Sequence, residues 1–220
     1  MRGTNPLRSP EPGDGRILQV QDIFPTLQGE GPFAGEPAVF VRLGGCNLAC
    51  DFCDTEFEIF RAMPLDQVME EVRKAAAGVR ELAVITGGEP LRQNIAPLCK
   101  HLLGHGFRVQ IETNGTLFRA LPEGVSIVCS PKPSAAGYYP VRPDLLERVN
   151  ALKFIVSRHR LGYGEVAEVG QTPRRIPVYV QPMDEADARK NAENRALAME
   201  LAQARGYRLS LQLHKILGIP

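Results

Sequence analysis

Three cysteines fall within eight residues, Cys46-Asn-Leu-Ala-Cys50-Asp-Phe-Cys53, directly after the double glycine Gly44-Gly45. Thiolates gathered on so short a loop can face a common point, which suits a metal or an iron–sulfur cluster better than disulfides. A structural zinc normally takes four ligands, and the other two cysteines, Cys99 and Cys129, fall in a predicted helix and a predicted strand. Three ligands leave one position open. A second group, Thr86-Gly87-Gly88-Glu89-Pro90, closes the apolar run ELAVIT. Its paired glycines let the backbone approach a ligand closely. The plain alternative is a turn followed by a helix start with Pro90 near its first position. Glu112-Thr113-Asn114-Gly115 ends another apolar run, and either offers polar groups to a ligand or simply turns the chain.

These residues need a frame. The chain has 220 residues, enough for one large core, with 44% hydrophobic and 23% charged residues. That usage excludes collagen-like, wholly disordered and coiled-coil classes. Twenty-six basic against 25 acidic residues leave a net charge of +1, without the footprint of a duplex-binding protein. No nucleic acid is expected, though a local basic patch stays open. No run approaches the roughly 18 apolar residues of a spanning helix, and the start MRGTNPLRSPEPGDGR has no apolar signal core. A soluble, cytoplasmic protein without membrane contact follows. Residues 1–16, rich in Pro, Gly and charge, read as a disordered leader without function, and residues 17–220 as one domain.

From Ile17 the hydrophobic period alternates between two and 3.6. ILQVQDIF and PAVFVRLG read as strands, and PLDQVMEEVRKAAAG as a helix from Pro64 with Leu65, Val68, Met69 and Val72 on one stripe and Gly78 as its stop. ELAVIT leads through GGEPLRQ into a second helix reaching about Gly104; FRVQIE, VSIVCS, ALKFIV and PVYVQP follow as strands. Residues 184–205 predict a helix ended by Gly206, and YRLSLQL a closing strand. Strands separated by helices imply parallel pairing with right-handed crossovers. The stretches 112–125 and beyond Val156 carry no amphipathic pattern, so some crossover helices are missing. The expectation is an α/β partial, pared-down barrel of about six or seven strands, with chemistry at the carboxyl ends of the strands.

The cysteine loop together with Thr86–Pro90 resembles the radical S-adenosylmethionine superfamily. That resemblance implies a 4Fe-4S cluster on Cys46, Cys50 and Cys53, its open iron taken by S-adenosylmethionine, and Gly87, Gly88 and Glu89 at the methionyl amino group. Phe24-Pro25-Thr26-Leu27-Gln28-Gly29-Glu30-Gly31, Arg42 and Cys53-Asp54-Thr55 further resemble the 7-carboxy-7-deazaguanine synthases, from about residue 20 to the C-terminus. This second resemblance implies a carbon–nitrogen lyase of queuosine and deazapurine synthesis, which contracts the ring of 6-carboxy-5,6,7,8-tetrahydropterin by radical chemistry and releases ammonia. Leu27, Gln28, Gly29 and Glu30 would match the donor- and acceptor-rich pterin edge, and Arg42 the substrate carboxylate. Thr86, His214 and the terminal carboxylate of Pro220 complete the implied substrate site, with Thr55 on a magnesium ion. Phe52, Cys53, Asp54, Glu112 (at the ribose), Ser130-Pro131-Lys132 and Gln181-Pro182-Met183-Asp184 would line the S-adenosylmethionine site. The family further implies a homodimer and an electron-donor protein such as flavodoxin.

Taken singly, these residues have blander readings: Gln28 and Glu30 in a solvated loop, Arg42 as a strand-end charge, Thr55 supporting a turn, SPKP as a loop and QPMD as a helix cap. Two other functions compete. A glycyl-radical activase shares the cysteine loop but lacks TLQGEG, which this chain has; a zinc-binding interaction protein would use the cysteines without catalysis.

Overall fold

The structure is a computed structural model that describes residues 5–220. Alternating apolar runs build a sheet from β1 (Ile17–Leu27), β2 (Pro37–Leu43), β3 (Arg61–Pro64), β4 (Leu82–Gly87), β5 (Arg108–Thr113) and β6 (Val125–Cys129). A small hairpin, β7 (Pro133–Ser134) with β8 (Gly137–Tyr138), precedes β9 (Ala151–Val156), β10 (Val178–Pro182) and β11 (Arg208–Leu209). The helices are α1 (Leu65–Ala76), α2 (Ala96–Gly104), the one-turn α3 (Pro143–Leu146) and α4 (Gln171–Arg174), then α5 (Ala188–Arg205) and α6 (Leu213–Leu217). Among the described residues, nine strands share one sheet in the order β11-β10-β9-β6-β5-β4-β2-β1-β3. Pairing is parallel from β2 to β11, and β1 runs antiparallel to both neighbours. The ends of the sheet, β3 and β11, do not meet, which gives the α/β partial barrel.

The sheet has nine strands against the six or seven expected, and the short edge strand β3 is the one that the periodicity did not mark. The missing helices are where the sequence lacked amphipathic pattern: none joins β5 to β6, and single turns replace them around β9. In α1, Leu65, Val68, Met69, Val72 and Ala76 are buried on one stripe, and the helix stops at Ala77 and Gly78, both left-handed. The second helix does not begin at the glycine pair; Pro90–Arg92 is a single 3-10 turn, and α2 starts at Ala96. The closing strand is cut to Arg208–Leu209. Ser210 still donates its amide to Val180, but its hydroxyl then serves Gly31 and Gln181, and the chain turns off the edge into α6.

One register organises the site. Val39, Val41 and Leu43 of β2, Ala83 and Ile85 of β4, Val109 and Ile111 of β5, and Leu152, Phe154 and Val156 of β9 all enter the main core against the helices. With a period of two, the alternate residues Arg42, Thr86, Gln110, Glu112, Lys153 and Gln181 stand on the other face.

Residues 5–16 are not the free leader that their composition suggests. Leu7 bridges to Cys46, and the Arg8 amide donates to the Cys46 carbonyl at 2.7 Å. Asn5 donates to the Thr55 carbonyl at 2.9 Å, and Glu11 pairs with the buried Arg92 at 2.7 Å. Polar partners, which composition cannot reveal, hold this strap against the cysteine loop. Residues 1–4 of the expected leader lie outside the described residues.

Candidate active site

Backbone approaches backbone where the two glycine pairs meet. A Cβ on Gly88 would sit 1.9 Å from the Gly45 carbonyl oxygen, and one on Gly87, whose φ is +122°, would sit 2.1 Å from that of Leu43. Only glycine fits there. The contact is closed by hydrogen bonds of 3.0 Å from the Gly88 amide to Leu43 and from the Glu89 amide to Gly45. The cysteine loop and the turn after β4 are therefore one rigid rim.

Glu89, expected at the methionyl amino group, does not reach the cavity. Its fully buried carboxylate accepts from the Leu91 amide at 3.0 Å, the Asn114 amide at 2.7 Å and the Thr113 hydroxyl at 2.7 Å. Those donors tie the ends of β4 and β5 together, so Glu89 fastens the rim while Gly87 and Gly88 face the space. Arg92, also buried, donates to the Gly44 carbonyl at 3.0 Å and to Glu11, clamping the same rim from outside.

Beside the rim lies a cavity of about 260 Å³ lined by Cys46, Cys50 and Cys53. Burial raises all three thiols, Cys46 to about 12, so they would lose their protons only to a metal that takes them as ligands. Among the described residues no three His, Cys, Asp or Glu side chains close on the single point that one ion requires. Three cysteines on one wall of the cavity are the donor set that a cluster with one open iron takes. Cys99 lies in the core of α2 and Cys129 beneath Gly115, both fully buried and away from this cavity.

Phe52, Asp54, Thr55, Thr86, Ser130 and Lys132 line the same space. Phe52 stands edge-on to Tyr163 with centroids 5.3 Å apart. The Lys132 ammonium donates to the Ser130 hydroxyl and carbonyl, each at 2.6 Å; Pro131 between them is not part of the lining. Gln181 lines the main cavity, while Pro182, Met183 and Asp184 border a smaller adjoining one with Phe52 and Asp54. Lys215 of α6 pairs with both Asp54 and Asp184 and joins the chain end to the cysteine loop.

Gln28, Glu30, Arg42, Glu112 and His214 line the same cavity. The Arg42 guanidinium lies over the Phe24 ring at 4.9 Å from its centroid. Burial lowers its pKa, while Asp22 and Asp54 pull the other way. Gln28 donates to Glu112 at 3.3 Å, and its own carbonyl accepts from the Glu30 amide at 3.1 Å. Leu27 and Gly29 flank Gln28 without lining the cavity; Gly29 lacks a Cβ because His214 Nδ1 would be 2.4 Å from it. Pro220 is not brought to this group. Its carbonyl accepts from the Thr26 hydroxyl at 2.6 Å, in a separate groove with Pro25, Leu27 and Arg80, because α6 rather than an extended strand carries the last residues.

Sequence reading missed Lys153, which is 4% exposed and bridges Glu30 and Glu112, the latter at 2.5 Å. It also missed Gln110 and Gln212, which donate to Glu112 at 2.8 Å and to Glu30 at 3.0 Å. The signal was present: a lysine inside the apolar run ALKFIV needs a buried partner.

Known proteins extend this picture. A model of the radical SAM superfamily matches residues 40–129. The 7-carboxy-7-deazaguanine synthase of Rickettsia prowazekii (strain Madrid E) is 54% identical over 224 residues, covering 100% of this chain and 96% of its own. That of Rhodospirillum rubrum is 43% identical, with both chains covered in full. The crystal structure of QueE from Escherichia coli superposes with a TM-score of 0.71 at 30% identity, over 89% of this chain and 94% of that one. With its three-cysteine rim, glycine-lined turn and polar cavity on one sheet face, the chain belongs to the 7-carboxy-7-deazaguanine synthase family of radical S-adenosylmethionine enzymes.

Proposed function

We propose that the chain converts 6-carboxy-5,6,7,8-tetrahydropterin to 7-carboxy-7-deazaguanine and ammonia, a carbon–nitrogen lyase reaction. The observation that carries this reading is one cavity lined both by Cys46, Cys50 and Cys53 and by Gln28, Glu30 and Arg42. When bound, the cluster and S-adenosylmethionine supply the reductive one-electron chemistry that begins by removing a hydrogen atom from the substrate. The chain's own residues bind and orient. Arg42 offers a planar fork to the substrate carboxylate, and its stacking on Phe24 limits the directions that fork takes. Glu30 and Gln28 accept from and donate to the pyrimidine edge. Gly87 and Gly88 leave room for the methionyl end, and Ser130 with Lys132 for the carboxylate and ribose side of S-adenosylmethionine.

Thr55, next to Asp54 on the cavity wall, is the proposed protein ligand of a magnesium ion whose other ligands are substrate oxygens and water. A homodimer, a cytoplasmic setting and an electron-donor protein such as flavodoxin complete the reading; no helix among the described residues is long and apolar enough to cross a membrane. The test is anaerobic reconstitution with iron and sulfide, read by visible absorption and iron per chain, followed by S-adenosylmethionine, dithionite, magnesium and the carboxypterin. Mass detection of 7-carboxy-7-deazaguanine supports the reading. A loaded cluster that cleaves S-adenosylmethionine yet never yields that product overturns it.

A further inference from the structure

Lys153 projects from β9 between Leu152 and Phe154, both in the main core, and is 4% exposed. Its ammonium bonds two carboxylates from different elements: Glu30 from the loop after β1, and Glu112 from β5. Neutral donors complete the shell, Gln212 on Glu30 and both Gln28 and Gln110 on Glu112. One cation between two carboxylates leaves one negative charge over. The other titratable groups lining the cavity are Arg42 of β2, Asp54 and the three thiols of the cysteine loop, Lys132 in the loop after β6, and His214 of α6. The negative charge left over within the Glu30–Lys153–Glu112 triad suits a ring edge rich in N–H donors.

We propose that Lys153 is a positioning residue for the substrate: by bridging Glu30 and Glu112 it keeps Glu30 a fixed anion facing the donor edge of the ring, so that substrate affinity does not change with pH across neutrality. This rests on the carboxypterin reading above. Two carboxylates this close without their cation would share a proton, and the pair would titrate in a coupled manner at a raised pH. The electrostatics run the same way. Burial alone would raise the Glu30 carboxyl, but Lys153 brings it down to about 2. Burial raises Glu112, and the Glu30 charge adds to the rise.

The experiment measures kcat and KM for the carboxypterin between about pH 6.5 and 9 with cluster-loaded enzyme, for the unaltered chain, Lys153→Met, Lys153→Arg and the double change Lys153→Met with Glu112→Gln. Ionisation of the ring itself cancels because every variant meets the same substrate. The unaltered enzyme gives a flat KM. In Lys153→Met the KM rises by about tenfold or more at the acid end and falls as pH rises, because Glu30 is freed of its proton only there. Lys153→Arg restores the flat profile. The double variant, which lacks the second carboxylate and with it the repulsion on Glu30, shows a shallower slope than Lys153→Met, displaced to lower pH. A KM profile in Lys153→Met that overlays the unaltered one, or a slope in the double variant as steep as that of Lys153→Met, overturns the role, whatever kcat does. Failure of the unaltered, cluster-loaded enzyme to bind or turn over the carboxypterin overturns the substrate reading and this role with it, and is seen before any variant is made.

Discussion

Replacing Gly88 by alanine tests the rim directly. The added Cβ would lie 1.9 Å from the Gly45 carbonyl oxygen, 2.4 Å from its carbon and 2.9 Å from the Cys46 nitrogen, all backbone atoms. Real Cβ contacts stay above 3.0 Å, so one of the two loops must withdraw by about 1 Å. Withdrawal stretches the bonds from the Gly88 amide to Leu43 and from the Glu89 amide to Gly45, each 3.0 Å long. Leaving two such buried groups poorly paired costs about 1–3 kcal/mol each, so a loss of about 4 kcal/mol is expected. For a domain of this size that lowers Tm by roughly 10 °C. Because the clash is with Gly45 and the Cys46 nitrogen, it disturbs the seat of Cys46, and iron retention should fall as well. The assay is thermal unfolding of the metal-free protein in parallel with iron per chain after anaerobic reconstitution. Gly104→Ala is the control: nothing lies within 4 Å of its Cβ at the end of α2, and it should be neutral or stabilising by up to ~1 kcal/mol. If Gly88→Ala melts with the control and binds iron fully, the reasoning about backbone contact is wrong.

Changing Cys46, Cys50 or Cys53 to alanine should abolish the visible cluster band, while Cys99→Ala and Cys129→Ala keep it and lose ~1 kcal/mol from small core cavities; a full band in Cys50→Ala refutes the ligand set. Arg42→Lys should raise the substrate KM by about tenfold or more with cluster content unchanged, since lysine keeps the charge but loses the fork and the stacking on Phe24; an unaltered KM removes Arg42 from the substrate site. Glu30 sits at about 2 in the folded protein against an ordinary 4.5, so its contribution to stability is complete above about 4.5 and is lost as pH falls toward 2. Denaturant unfolding at about pH 5 and about pH 3 should show a smaller acid loss in Lys153→Met, where the cation that holds the carboxyl down is gone; equal losses in the two proteins count against the ion pair.

The parts of the fold legible in the sequence are those set by local periodicity. The stripe of α1 and the runs of β4, β5, β6, β9 and β10 carry their own pattern, and the blank stretches correctly marked the absent crossovers. The edges were not legible. YRLSLQL alternates like a strand, but Ser210 and Leu213 spend their polar groups on Gly31 and Gly29, which no local pattern reports. The candidates in dense motifs, the three cysteines, the glycine pair and Gln28 with Glu30, line one cavity. Glu89 shows the limit, because a motif gives residue identity but not direction, and its carboxylate turns inward to the amides of Leu91 and Asn114. Lys153 was passed over because a single charge in an apolar run reads as noise until the opposing carboxylates arrive from residues 30 and 112.

The strap of residues 5–16 bears on the order of assembly. It leaves the ribosome first, yet Glu11 finds its partners only when Arg92, 81 residues later, and Arg119, 108 residues after it, are in place. Docking it closes long loops, a late and entropically costly event. Asn5, Leu7 and Arg8 need only the loop of residues 46–55 to dock, whereas the Glu11 end of the strap closes over Arg92 only after β4 is made. A protease that cuts between Asn5 and Arg16 would read this final step, cleaving nascent or half-folded chains and sparing those whose rim is already sealed.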